Sequence, residues 1–326
     1  MHAIETEALT KHYTTGFWRP RPYPALDGLT LSVESGEVFG FLGPNGAGKT
    51  TTLKLLMQLI YPTSGRAEIL GKPVGDIGVK QRIGYLPEQP YFYDYLTAEE
   101  LLVYFASIFG ERAAAARTRA SELLDEVGIG AERRLQLRKF SKGMLQRVGI
   151  AQALINNPEV VFLDEPMSGL DPLGRREIRE LILRLRGRGC TVFFSSHVLA
   201  DAEALCSRVA VMANGRLSAT GKLSDLVAFR VRGWELVISG LSDSVLEQAK
   251  RNGHVVRETK LGEGRYALEL PLAPAPERTL AELIAQGAHL VSLNPLRDTL
   301  EDFFVRQVTA SAPRVSDGQA TKPEVA

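Results

Sequence analysis

Between Gly43 and Thr50 the chain reads Gly43-Pro44-Asn45-Gly46-Ala47-Gly48-Lys49-Thr50, a fit to the phosphate-cradling pattern GxxxxGK[ST]. This stretch constrains the fold on both of its sides. Glycines let successive backbone N–H groups turn toward one anion, so a strand must deliver the chain to the loop and a helix must leave it. Both flanks comply. Val38 to Leu42 is a short apolar run suited to a buried strand, and Thr50 to Leu59 carries the Leu, Lys, Met and Gln of a helix. Lys49 adds a point charge at the β- and γ-phosphates, and the Thr50 hydroxyl is a ligand for Mg²⁺. The eight loop residues and Thr51 are therefore the candidate phosphate contacts, and the implied ligand is a nucleoside triphosphate.

A second polar site lies downstream. Val160-Val161-Phe162-Leu163 predicts a buried parallel strand, and Asp164 and Glu165 follow at its carboxyl end, where open α/β sheets bind their ligands. Asp164 is suited to hold Mg²⁺, directly or through water, and Glu165 to polarise a water for in-line attack on a γ-phosphate. Pro172 to Gly187 predicts a crossover helix with Asp171 as N-cap, returning to a further buried strand, Thr191 to Phe194. His197 stands just beyond that strand, placed to hydrogen-bond the same phosphate.

The pattern divides the 326 residues. Up to about residue 228, short apolar runs alternate with helical patterns, as in an α/β sheet. Residues 96–156 are almost wholly helical in pattern, opening with a capping box at Thr97-Ala98-Glu99-Glu100, and read as an inserted helical subdomain. Val209 to Met212 and Arg216 to Thr220 predict a hairpin turning at Asn214-Gly215. From 229 to 308 the order is strand, helix, two strands, helix, strand, a small βαββαβ module, with a last helix expected from Leu296 to Val308. Residues 309–326 are polar and are expected to be a disordered tail.

Phe140-Ser141-Lys142-Gly143-Met144-Leu145-Gln146-Arg147 resembles the signature motif LSGGQxQR of the ATP-binding-cassette (ABC) ATPases. The order of motifs also resembles that family: phosphate loop, signature, carboxylate strand, the turn Ser168-Gly169-Leu170-Asp171, then histidine. The resemblance covers residue 3 to about 228. It implies a P-loop NTPase cassette with a mostly parallel core sheet, an antiparallel β subdomain and the helical insertion, followed here by the small α+β domain. It also implies that Tyr13 stacks on adenine, and that Ser141 and Gly143 reach the γ-phosphate of ATP held by a second cassette. Asp171 would lie at the contact between the two cassettes, making the active unit a homodimer or heterodimer with ATP and Mg²⁺ in its interface.

Phe140, Lys142 and Met144 depart from the commonest signature, and Lys142 adds positive charge near the opposing phosphate. In Gly84-Tyr85-Leu86-Pro87-Glu88-Gln89, Glu88 takes the place of the family's lid glutamine when counted back from Leu96, and Gln89 lies one position beyond. The GYLPE and FSKGM wording is similar to efflux-type subunits that work with a separate integral-membrane permease. The chain is thus expected to be a cytoplasmic ATPase, peripheral on the inner face of the cell membrane, powering export. No run of residues approaches the ~20 needed to cross a bilayer, so membrane association is expected through the permease. A net charge of +1 gives no footprint for nucleic acid, which weighs against the alternative, a soluble cassette acting on the ribosome or DNA. Phe17 to Pro24 reads as a basic, aromatic, Pro-rich loop, and Tyr91 to Tyr95 either as an aromatic contact surface or as part of the helical subdomain's core. Cys190 and Cys206 show no metal or redox spacing and read as packing residues.

Overall fold

In the computed structural model, residues 2–15, 21–226, 231–262 and 264–297 are described. They fall into two units that divide between Leu223 and Ser224, a few residues before the 228/229 boundary read from the sequence.

The first unit opens with the long hairpin β1 (His2–Thr15) and β2 (Arg21–Glu34), then β3 (Val38–Leu42), α1 (Lys49–Leu56), β4 (Ser64–Ile69), β5 (Lys72–Pro73), α2 (Ile77–Lys80) and β6 (Ile83–Leu86). The helices α3 (Ala98–Ile108), α4 (Ala113–Glu126) and α5 (Lys142–Ala153) follow. The chain then alternates through β7 (Val160–Asp164), α6 (Pro172–Gly187), β8 (Thr191–Ser196), α7 (Leu199–Leu205) and the hairpin β9 (Arg208–Ala213) and β10 (Arg216–Lys222), and the short α8 (Leu223–Leu226) falls on the division between the units.

These strands make two sheets. One is antiparallel, in the order β2-β1-β4-β5; the other, β10-β9-β3-β8-β7-β6, is parallel except for its edge strand β10. In β3, β7 and β8 every residue is buried, which is why they read as unbroken apolar runs without alternation. Phe39, Phe41 and Phe162 close around the ring of Phe193 at centroid distances of 5.2–5.7 Å, filling the space beside the sheet.

The helix starts follow local chemistry. Thr97 accepts from the Glu100 amide while the Glu100 carboxylate accepts from the Thr97 amide, the reciprocal cap expected from the sequence. Donation from the Thr97 amide, and from its hydroxyl, holds the Glu100 carboxyl below its ordinary range. Asp171 caps α6 by accepting from the Gly174 amide at 2.7 Å, with Pro172 in the first turn.

Two sequence expectations need correction. Arg21 to Pro24 belong to β2, paired with Thr15 to His12, and are not loop; β2 is an edge strand, where the missing N–H groups of Pro22 and Pro24 cost no ladder bond. Leu296 and Arg297 end a strand instead of starting a helix, because they continue a ladder opposite Gly233 and Val231. Phe17 to Pro20, the rest of the expected last helix and the 309–326 tail lie outside the described residues.

The second unit contains β11 (Val231–Ser239), α9 (Asp243–Arg251), β12 (Arg257–Gly262), β13 (Arg265–Leu270), α10 (Pro276–Ala285) and β14 (His289–Arg297). Its sheet is antiparallel, ordered β12-β13-β11-β14, around a core of its own that includes Leu236, Ile238, Leu246, Leu268 and Leu283.

Gly84 in β6 shows how closely the helical insertion rests on the sheet. A Cβ added there would stand 1.8 Å from the carbonyl oxygen of Ala153 at the end of α5, a backbone atom that cannot step aside. Gly84→Ala is expected to destabilise the first unit by about 1–3 kcal/mol or more through overpacking. At about 2–4 °C per kcal/mol for a domain of this size, thermal unfolding of the purified variant checks this; an unchanged midpoint would disprove it.

Candidate nucleotide site

The parallel strands deliver their carboxyl ends to one place. β3 runs into the phosphate loop, and Gly48, in the left-handed region at φ 100°, turns the chain into α1. Only glycine suits this position, since a Cβ would also stand 2.6 Å from the Ala25 carbonyl. Lys49 is 6% exposed and folds back over its own loop, its Nζ donating to the carbonyls of Gly43 at 2.7 Å and Pro44 at 3.3 Å.

β7 and β8 are adjacent, with Asp164 directly opposite Ser195. The Ser195 hydroxyl donates to Asp164 Oδ1 at 2.5 Å and accepts from the Glu165 amide at 3.0 Å. Burial pushes the Asp164 carboxyl above its ordinary range; Ser195, and more weakly the nearby Thr50 hydroxyl, pull it back. Asp164 Oδ2 is buried and has no hydrogen-bonding partner. An orphaned carboxylate oxygen beside the first helical turn of the phosphate loop is a fitting ligand for a hard cation. Among the described residues no cluster of three or more His, Cys, Asp or Glu could cage a metal.

Glu165 follows with φ 50°, a left-handed conformation uncommon outside glycine. Its Oε1 lies 3.3 Å from Lys49 Nζ, and its Oε2 is 2.8 Å from His197 Nδ1. Oε1 accepts no well-directed hydrogen bond, so the lysine contact is an ion pair only. Gln146, 2% exposed on α5, supports the turn from behind, donating to the carbonyls of Pro166 at 3.2 Å and Glu165 at 3.5 Å.

A cleft of about 320 Å³ collects most of the expected residues: Tyr13, Pro44, Asn45, Gly46, Gly48, Lys49, Thr50, Thr51, Glu88 and Glu165 line it. Glu88 is in this wall, whereas its neighbour Gln89 is not. Ser141, Gly143 and Asp171 are elsewhere. They line a separate concavity of about 600 Å³ with Lys142, Gly169 and Arg147, and the two share no residue. Ser141 caps α5 by accepting from the Met144 amide at 3.2 Å. Lys142 lies across Gly169, whose hypothetical Cβ would come within 2.8 Å of its Nζ.

Sequence reasoning did not single out Ser195, Gln146 or Tyr23, which also lines the cleft. Ser195 left a readable trace: it opens a pair of serines, Ser195 and Ser196, that ends a fully buried strand after the apolar run Val192 to Phe194. Tyr91, Tyr93 and Tyr95, left open between surface and core, are exposed. Both cysteines are buried, and burial raises both thiols, that of Cys190 to about 11. No helix among the described residues is long and apolar enough to cross a membrane.

Residues 26–168 match the ABC transporter domain family. Over 309 residues the chain is 46% identical to an uncharacterised ABC transporter ATP-binding protein of Synechocystis, covering 94% of this chain and 85% of that one. It is 43% identical to the bacitracin transport ATP-binding protein BcrA of Bacillus licheniformis, across 94% and 97% of the two chains. In structure it is similar to the ATP-binding cassette MJ0796 in a dimeric post-hydrolysis state with ADP and Pi. That likeness has a TM-score of 0.63 and 27% identity, and covers 68% of this chain and 98% of that one.

Ser195→Ala removes the bond that favours ionised Asp164 and leaves the Glu165 amide without its acceptor. Hydrogen bonds to charged groups contribute about 1.5–3 kcal/mol, so kcat/KM for ATP hydrolysis is expected to fall roughly ten- to a hundredfold. Because the lost bond lowers the Asp164 pKa, the acidic limb of the pH–rate profile should move to higher pH. A profile that coincides with that of the parent protein would refute the role.

Proposed function

The chain belongs to the ABC transporter family as an ATP-binding, ATP-hydrolysing subunit, and from that premise we propose that it powers export through a separate integral-membrane permease. The observation that carries the chemistry is the placing of one carboxylate, Glu165, against both the phosphate-loop lysine and His197.

ATP enters the cleft with its phosphates on the loop amides and its adenine toward Tyr13. Lys49 exchanges the Glu165 carboxylate for phosphate oxygens, a trade made easier because that contact lacks hydrogen-bond geometry. Thr50 and Asp164 would hold Mg²⁺, which when bound neutralises charge on the β- and γ-phosphates. Glu165, released from Lys49, accepts a proton from the attacking water, and His197 keeps its carboxylate aimed while reaching the γ-phosphate. Glu88 faces the same space and orients the water.

Ser141 and Gly143 cannot serve the cleft of their own chain, since they line a different concavity. Their place at the start of a twelve-residue helix, with free amides and partial positive charge, suits the γ-phosphate of an opposing cassette. Two chains then sandwich two ATP molecules, with Asp171 at their contact. Closure on binding and reopening after hydrolysis supply the motion that a permease uses. Tyr91, Tyr93 and Tyr95 offer an exposed aromatic surface for that partner, consistent with the aromatic enrichment of interfaces. Among the relatives, BcrA is named for bacitracin transport, and export of a compound of that kind is the corresponding reading here. The ribosomal or DNA-acting alternative has no support among these relatives.

Two measurements test this. Affinity purification in mild detergent from native membranes is expected to bring down a multi-span membrane protein in near-equal amount; recovery with ribosomes or DNA factors alone would overturn the transporter reading. Glu165→Gln should keep ATP binding, lose at least about a hundredfold in hydrolysis, and accumulate as an ATP-bound dimer by light scattering. Parent-like turnover in that variant would remove Glu165 from the role of base.

A further inference from the structure

We propose that Tyr23 is a second nucleobase-binding residue, so that the base is held by a pair of tyrosines, Tyr13 and Tyr23; this rests on the reading of the cleft as an ATP site.

Tyr13 and Tyr23 are direct partners in the antiparallel β1–β2 ladder. Directly opposed residues point to the same face, with Cβ atoms about 4.5–5.5 Å apart. Both line the phosphate-loop cleft. The two side chains therefore leave the hairpin on the same face, both in the wall of the cleft.

Their placing over the phosphate loop is enforced by backbone, not by the rings themselves. Pairing steps from Lys11 opposite Leu26 to His12 opposite Pro24, leaving Ala25 as an extra residue on β2. Such a bulge bends its strand and re-aims the side chains beyond it. Here it presses the Ala25 carbonyl against Gly48. The Gly215 backbone fastens the same point, accepting from the Asp27 amide at 2.8 Å and donating to the Ala47 carbonyl at 3.2 Å. The hairpin is thus pinned to the loop two residues from Tyr23.

The rings differ in what already covers them. Lys11 Nζ sits 5.4 Å from the centroid of Tyr13, held there by its 2.7 Å bond to the Tyr61 carbonyl. One face of Tyr13 is therefore spoken for. Tyr23 is 52% exposed, an unburied aromatic in a cleft whose lining, Tyr13 apart, is otherwise of small and polar residues. A planar, apolar, bicyclic base would cover the open Tyr13 face and the Tyr23 ring together. Stacking does not read the hydrogen-bonding edge of a base, so the pair should hold adenine and guanine alike.

The full chain serves for the test, with ATP, GTP and inorganic tripolyphosphate as probes in titration calorimetry. Tyr23→Ala is expected to weaken ATP and GTP roughly five- to a hundredfold, the usual range for losing one stacking partner. Tyr23→Phe should bind within about twofold of the parent, since a phenyl face stacks as a phenol does, and tripolyphosphate should bind all three proteins equally. The proposal falls if Tyr23→Ala binds ATP as tightly as the parent while Tyr13→Ala does not, a result that leaves the ATP site standing. It falls equally if Tyr23→Ala loses tripolyphosphate together with ATP, for then the loop itself has been damaged. Failure of the site reading looks different: Lys49→Ala would bind ATP as well as the parent.

Discussion

A buried ammonium and a buried carboxylate held 3.3 Å apart, Lys49 and Glu165, are the pair around which the first unit is organised. Burying two charges is costly unless their remaining valences are met. The fold meets them one by one. The loop carbonyls of Gly43 and Pro44 take the ammonium protons, and His197 takes the second carboxylate oxygen. Three parallel strands, β3, β7 and β8, must end level with one another for these groups to meet, and their register achieves it: Leu42 stands opposite Ser196, and Asp164 opposite Ser195. A pair this enclosed yet imperfectly bonded is a good exchange partner for a polyphosphate, which offers the lysine the same charge with more oxygens.

The second organising fact is a division of labour between concavities. One chain carries a complete phosphate cradle and, apart from it, a helix start that has no phosphate of its own to face. Neither feature alone calls for a dimer. Together they are what the proposed dimer draws on, and the fold is similar to a cassette whose structure is dimeric.

Much of this was legible in the residues, because the site's chemistry sits in short, contiguous motifs. The phosphate loop, the Asp164-Glu165 pair and the Asp171 cap each follow from local rules of glycine turns, strand ends and helix starts. What escaped were residues whose role exists only across sequence distance. Ser195 acts on Asp164 through strand adjacency, Gln146 acts on Pro166 across a helix–loop contact, and Tyr23 meets Tyr13 only because the hairpin places them in register. Two prolines hid the first four residues of β2, since a sequence pattern penalises proline in a strand without knowing which strands lie at an edge. The C-terminal module gave its order of elements but not its sheet order, which is set by pairing and not by composition.

The bonds from Gln146 join two parts of the molecule that the sequence separates. Its side chain rides on the helix that starts after Ser141, while the carbonyls it holds belong to Glu165 and Pro166, just beyond the carboxyl end of β7. Glu165 is already in a backbone conformation with little room to spare. The linkage between the helix that carries the signature-like motif and the residue proposed as base is thus one amide group long. A tilt of α5 would therefore pull directly on the two consecutive carbonyls that follow β7, and so on the backbone that carries the Glu165 carboxylate, without the sheet itself having to move.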